Sequence, residues 1–180
     1  METMRVENLA KTYGEKTLFD KLNFIINEHD RIGLIGTNGT GKTSLLNAIA
    51  GIDHDSTGDI ITSKSYTIGY LKQDPELDDQ LSIMDAVFSG SQAVYRTIRN
   101  YEASLKEYSA HPEDEDAAKR YTKAEARMNE EDAWNAQNDV KTILNQLKIT
   151  DYNQKISELS GGQRRRVGLA QVLIQAPNLL

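Results

Sequence analysis

The chain of 180 residues contains no cysteine, so it has neither a disulfide framework nor a thiolate metal site. That usage fits a reducing compartment, and a cytoplasmic location is expected. Proline is scarce, and two of the three, Pro75 and Pro112, sit where the hydrophobic pattern breaks. No apolar run approaches the ~20 residues that a membrane-spanning helix needs. The amino terminus, Met1-Glu2-Thr3-Met4-Arg5, lacks a basic stretch backed by an apolar core, and no signal peptide is expected. Basic residues are in the minority: 21 Lys and Arg stand against 27 Asp and Glu, a net charge of -6. This argues against a generally cationic nucleic-acid binder but leaves room for a local basic patch. The length suits one good core with a lobe or insertion.

One stretch organises the rest. Gly36-Thr37-Asn38-Gly39-Thr40-Gly41-Lys42-Thr43 matches the pattern G-x-x-x-x-G-K-[ST] without a mismatch. Arg31-Ile32-Gly33-Leu34-Ile35 before it reads as a short buried strand. Ser44 to Ala50 after it reads as a helix stopped at Gly51. Strand, glycine loop and helix are the context the pattern needs. Glycines let backbone N–H groups curl around a phosphate chain, and a helix N-terminus adds partial positive charge. Lys42 supplies a mobile cation for the β- and γ-phosphates, and the Thr43 hydroxyl is placed to ligate Mg²⁺. Asn38 and Thr40 act through their backbone amides.

Elsewhere, Met4–Leu9 and Leu22–Ile26 alternate like antiparallel strands, with a polar loop over Lys11–Lys16 between them. Asp59–Ile61 and Thr67–Leu71 are further strand candidates, and Lys72-Gln73-Asp74-Pro75 ends the pattern. Ser82-Ile83-Met84-Asp85 reads as a capped helix start. Val94, Ile98, Tyr101, Leu105 and Tyr108 form one apolar stripe on a helix of about 15–19 residues. After the break at His111-Pro112, Ala117, Tyr121, Ala124 and Met128 repeat the spacing, which predicts an antiparallel helical hairpin. A third helix is expected from Asp132 to Leu147, with Val140, Ile143, Leu144 and Leu147 inward. Trp134 reads as a packing residue. His29, His54 and His111 lack ligand-like spacing, and no metal is assigned to them.

A second anion site is expected at Leu159-Ser160-Gly161-Gly162-Gln163, where Ser160 caps a helix and the glycines leave N–H groups open. With the phosphate loop and Gln73, this order of motifs resembles the ATP-binding cassette (ABC) family over essentially the whole chain. The resemblance implies an α/β fold: a P-loop NTPase cassette with an N-terminal antiparallel β subdomain, a parallel-sheet core and a helical lobe carrying a hairpin arm. The segments are expected at 1–81, the ATP-binding core; 82–158, the lobe with its arm at about 91–128; and 159–180, the signature helix and the start of the next strand. The resemblance also implies ATP and Mg²⁺ as cofactors. Tyr13 stacks on adenine, Gly36 to Thr43 and Ser44 hold the phosphates, and Gln73 reaches Mg²⁺ and the attacking water. Leu159 to Gln163 caps the γ-phosphate of a second cassette, the expected partner in the same full-length chain. Lys42 and Gln73 are the catalytic candidates within these residues.

The family's next strand brings an Asp for Mg²⁺, a catalytic Glu and a switch His. None follows Ala176-Pro177-Asn178-Leu179-Leu180. The chain is therefore expected to be a fragment of a full-length ATPase and inactive alone. The charged hairpin and the segments around Tyr13 and Ser157–Leu173 resemble the ABC-F group, soluble proteins that act on the ribosome in translation regulation or rescue, some in antibiotic resistance. Arg96, Arg99, Lys106, Lys119, Arg120 and Lys123 are candidates for rRNA contact. The acidic tip Glu113–Asp116 fits a basic ribosomal protein as well, and tRNA is near in that setting. Arg164–Arg166 reads as a solvated basic face, or as a contact with the nucleotide sandwich or rRNA. Two other classes compete: the nucleotide-binding subunit of a membrane ABC transporter and a DNA-repair or chromosome-associated ATPase.

Overall fold

Met4 and Val6 are buried, but the next buried apolar side chain is Leu9, three residues on rather than two. A strand of strict period two cannot place all three on one face. The computed structural model, which describes residues 2–89 and 93–180, answers with a bulge. Strand pairing shifts register between Val6 and Leu9, and Asn8 takes φ 51°. Strand β1 (Glu2–Tyr13) pairs antiparallel with β2 (Lys16–Asn27) on one side and β3 (Thr57–Thr62) on the other, giving the order β2-β1-β3. Lys11–Lys16 is not the loop its polarity suggests. Tyr13 pairs with Lys16 across a turn at Gly14 and Glu15. Both faces of the hairpin tip are exposed, so no hydrophobic alternation marks the strands there.

Helix α1 (Lys42–Ile49) follows the phosphate loop. Ala48 is buried with Met4, Val6, Leu9 and Ile26, and Phe24, Leu45, Ile60 and Ile68 pack around them. Residues 31–37 form no strand. Ile32, Leu34 and Ile35 are exposed, against the buried strand expected there. A parallel strand depends on a laddered neighbour, and among the described residues none pairs with this segment. Thr67–Leu71 contributes only an isolated parallel bridge between Ile68 and Leu179, supported by Gly69 N–H donating to Leu179 O at 2.7 Å. The expected parallel-sheet core is present among the described residues only as that bridge. Lys11 and Asp53 form an ion pair, both largely buried, that fastens β1 to the segment after α1.

Residues 2–70 with 177–179 form one compact unit, and 71–176 with 180 form the other. The second unit is helical. Its α2 (Ile83–Val87) is capped as expected, Ser82 Oγ accepting from Asp85 N–H. Helices α3 (Ala93–Ala110) and α4 (Glu115–Glu130) form the antiparallel hairpin, and α5 (Ala133–Gln146) and α6 (Gly161–Ile174) complete the lobe. The arm's expected start at Ser91, and Met1 at the head of the first expected segment, lie outside the described residues. Ile98, Met128, Leu144, Ile156 and Val167 are fully buried around Phe88. Of the expected inner edge of α5, Val140 and Leu144 are buried while Ile143 and Leu147 are partly exposed. Tyr121 joins the hairpin's two helices, stacked on Tyr108 with ring centroids 5.3 Å apart and tilted against Tyr101 at 5.8 Å. Trp134 meets Tyr101 edge-on at 4.9 Å and donates to Asn129 Oδ1. Among the described residues no helix is long and apolar enough to cross a membrane.

Candidate functional site

The phosphate loop ends at Gly41, the N-cap of α1, with φ 89° and no side-chain cap. The first-turn N–H groups of α1 are therefore left for an external acceptor. Lys42 folds back over the loop, and its ammonium donates to Gly36 O at 2.9 Å and Thr37 O at 2.7 Å. Thr40 Oγ1 donates to Thr37 O at 2.9 Å and braces the same carbonyl. A cation parked on carbonyls at an exposed site is available to a phosphate, which is the stronger partner.

Tyr13 and Leu18 from the hairpin, Asn38, Gly39 and Gly41 from the loop, and Lys42, Thr43 and Ser44 from α1 line one open cavity of about 380 Å³. That volume is ordinary for a small-molecule site. Tyr13 is 77% exposed, so its ring face is free to stack. Gly36, Thr37 and Thr40 do not line the cavity and enter only through their contacts with Lys42 and each other. Lys16 was not among the expected site residues, yet its ammonium donates to Gly39 O at 3.1 Å, a second cation on the loop. Reading Gly14-Glu15 as a two-residue hairpin turn would have placed Lys16 opposite Tyr13.

Gln73 is exposed, lies in a stretch without regular structure and belongs to the other compact unit. Neither its side chain nor that of Thr43 has a hydrogen-bond partner among the described residues. A hydroxyl and an amide oxygen are hard donors of the kind Mg²⁺ accepts, with phosphates and water completing its shell. The Thr43 hydroxyl lines the open cavity, so the donor present there fits the metal the resemblance implies.

At the candidate second anion site the helix cap is where the sequence predicts it, with one difference. Ser160 caps α6, and Gly161 and Gly162 face open space within 4 Å of where a Cβ would stand. Leu159 is buried and anchors the turn. The side chain of Gln163, however, is already engaged: its Oε1 accepts from Ser160 N–H at 2.9 Å while Ser160 Oγ accepts from Gln163 N–H at 3.3 Å. This is a complete capping box. Arg164 is also not a solvated cation, since Nη1 donates to Asp79 Oδ1 at 2.6 Å and to Ile156 O at 3.2 Å. Arg165 and Arg166 are exposed.

The arm's six basic candidates separate by environment. Lys119 pairs with Glu115 and Asp116, and Arg120 makes two hydrogen bonds to Glu107. Arg99 buries Nη1 without a partner. Arg96, Lys106 and Lys123 are exposed and make no ion pair among the described residues. The tip carboxylates are partly consumed too. Asp114 caps α4, and the N–H groups of Asp116 and Ala117 hold its carboxyl below the usual range. Tyr121, hydrogen-bonded to Tyr101 and Glu125, has its phenol pushed up to about 12.

The family model described as "ABC transporter" matches residues 19–180. A Bacillus subtilis (strain 168) protein described as the uncharacterized ABC transporter ATP-binding protein YfmR is 45% identical over 180 residues, all of this chain and 29% of that protein. The energy-dependent translational throttle protein EttA of Haemophilus influenzae is 34% identical over 155 residues, covering 83% of this chain and 27% of EttA. The chain thus spans less than a third of the curated relatives it matches. A crystal structure of a nucleotide-free ATP-binding cassette from an ABC transporter superposes with a TM-score of 0.62 at 24% identity, over 98% of this chain and 66% of that one. The last likeness shows the fold.

Proposed function

The chain belongs to the ABC transporter family as an ATP-binding cassette, and from that premise we propose that it is the first cassette of an ABC-F-type ATPase acting on the ribosome. The observation that carries this reading is the arm. Helices of 18 and 16 residues pair through an aromatic seam and present a charged exterior. The similarity to EttA, whose name ties it to translation, supports the same reading.

ATP is held with its base on Tyr13 and its phosphates over the α1 N-terminus. Lys42 leaves the carbonyls of Gly36 and Thr37 for the β- and γ-phosphates, and Lys16 stands beside them on Gly39. Gly39, Gly41, Thr43 and Ser44 wall the same cavity. When bound, Mg²⁺ neutralises phosphate charge, with Thr43 and Gln73 as its protein donors. The free N–H groups of Gly161 and Gly162 and the Ser160 hydroxyl meet the γ-phosphate of a second cassette. Hydrolysis also needs an acidic pair that orients water. No such pair is assigned within these 180 residues, which are expected to bind MgATP without steady turnover.

The test is sedimentation of the full-length protein with ATP, its catalytic Glu changed to Gln. Co-migration with ribosomes is the expected result. Failure to do so, with retention on membranes through a permease, would replace this reading with the transporter one. Steady ATPase activity of the 180-residue chain, lost in Lys42→Ala, would overturn the division of labour.

A further inference from the structure

A glycine inside a helix is destabilising relative to alanine, yet α6 carries Gly168, buried, near the middle of its 14 residues. The reason lies across from it. A Cβ at Gly168 would stand 2.6 Å from Pro75 Cβ, 2.7 Å from Pro75 Cγ and 3.4 Å from Leu71 Cδ1. One turn toward the N-terminus, Arg164 bonds Asp79 and the carbonyl of Ile156. Positions four apart share a helix face. Residues 71–79 are therefore laid along α6 and run toward its Ser160 end, pinned at Gly168 by close packing and at Arg164 by charge. Gln73 sits between two of the packed residues, Leu71 and Pro75. Pro75 also restricts the backbone of Asp74, so little slack remains between Gln73 and the helix.

We propose that Gly168 and Arg164 are positioning residues that fasten the Gln73 segment to the signature helix. Gln73 and the anion site at Ser160–Gly162 are then held as one body, and the placement of Gln73 toward Mg²⁺ depends on a glycine and an arginine that touch neither metal nor nucleotide. The metal side of this inference rests on the proposed role of Gln73. The clamp itself rests only on the packing of residues 71–79 against α6.

The experiment uses the 180-residue chain, two readouts and three alterations. Gly168→Ala favours helix by propensity, so loss of α6 is not its trivial outcome, and circular dichroism checks this. Its methyl displaces Pro75 by on the order of 1 Å to restore ordinary contact. Asp79→Ala releases the other pin. The double change Asp79→Arg with Arg164→Asp re-forms the ion pair in reverse. The first readout is amide hydrogen exchange over residues 71–79 without nucleotide. The second is the gain in ATP affinity that Mg²⁺ confers over EDTA, with Gln73→Ala as the reference. Gly168→Ala and Asp79→Ala are expected to speed exchange over 71–79 and cut the Mg²⁺-dependent gain roughly tenfold, as lost outer-shell support does. The affinity in EDTA stays unchanged, and the charge swap, which restores the contact between positions 79 and 164 but not the bond to Ile156 O, recovers part of both effects. Wild-type exchange and wild-type Mg²⁺ gain in Gly168→Ala would overturn the clamp. A Gln73→Ala chain that keeps its full Mg²⁺ gain would refute the metal role instead, while exchange over 71–79 still decides the clamp.

Discussion

Replacing Gly41 by alanine tests the phosphate loop at its most constrained position. Gly41 has φ 89°, and a Cβ there would meet Leu18 Cβ at 3.1 Å, with Leu18 O and Phe19 Cδ1 at 3.6 Å. Two costs therefore combine. Forcing an L-residue into the left-handed region costs about 1–2 kcal/mol. The contact with Leu18 is tighter than ordinary packing, and because Leu18 belongs to β2 it can yield only by moving the strand; this adds about 1 kcal/mol. The costs separate experimentally. Gly39 shares the conformation, φ 81°, but a Cβ there meets nothing within 4 Å, so Gly39→Ala carries the backbone cost alone. Gly33 has neither constraint and serves as the baseline. For a chain of this size about 1 kcal/mol moves Tm by roughly 2–4 °C. Gly39→Ala should lower Tm by about 2–8 °C and Gly41→Ala by roughly a further 2–4 °C, with Gly33→Ala within error of the parent. Differential scanning calorimetry reads all three. If Gly41→Ala unfolds with Gly33→Ala, the loop is not held against β2 as described.

Lys42→Ala removes only exposed contacts to Gly36 and Thr37, so stability should change by no more than about 0.5 kcal/mol, while ATP affinity by titration calorimetry falls by about tenfold or more. A large loss of Tm in that variant would mean the lysine is structural. Gln163→Ala should speed exchange of the Ser160 amide, whereas Gln163→Glu, which keeps an acceptor for it, should leave exchange near the parent rate. Equal rates in the two would contradict the capping role. Asp114 is held below the ordinary carboxylate value of 3.8 by the Asp116 and Ala117 amides, then by Arg120 and His111. Its contribution is complete above the unfolded value and is lost as pH falls through the folded one. Far-UV circular dichroism from about pH 5 down to about pH 2 should show the arm losing helix at the acid end, and less so in Asp114→Asn, which caps without titrating.

Legibility followed the strength of the periodic signal. The stripe Val94 to Tyr108 placed α3 because every third or fourth residue packs inward, and Ile98 and Tyr101 are indeed buried. Ser160 was legible as a helix cap because capping is local chemistry, whereas the closing of the box by Gln163, expected to face a second cassette, came only from the structure. The tip of the β1–β2 hairpin was not, since both its faces meet water and nothing alternates. Ile32, Leu34 and Ile35 misled in the opposite way. An apolar run signals burial only if a partner covers it, and among the described residues none does.

The order of motifs, by itself, determined the family and pointed to the glycine loop with Lys42 and to the Ser160 helix start as candidate anion sites. Each depends on neighbours within a few residues, where backbone geometry follows from residue type. The tertiary structure alone decided which charges are free. Lys42 rests on two carbonyls, Lys16 joins the loop from the hairpin, and Arg164 is bound to Asp79, 85 positions away. It alone also supplied the reason for Gly168, because a close approach between distant segments leaves no trace in local periodicity. Coulombic and packing partners are set by proximity in space, and only the folded chain brings residues 71–79 against α6.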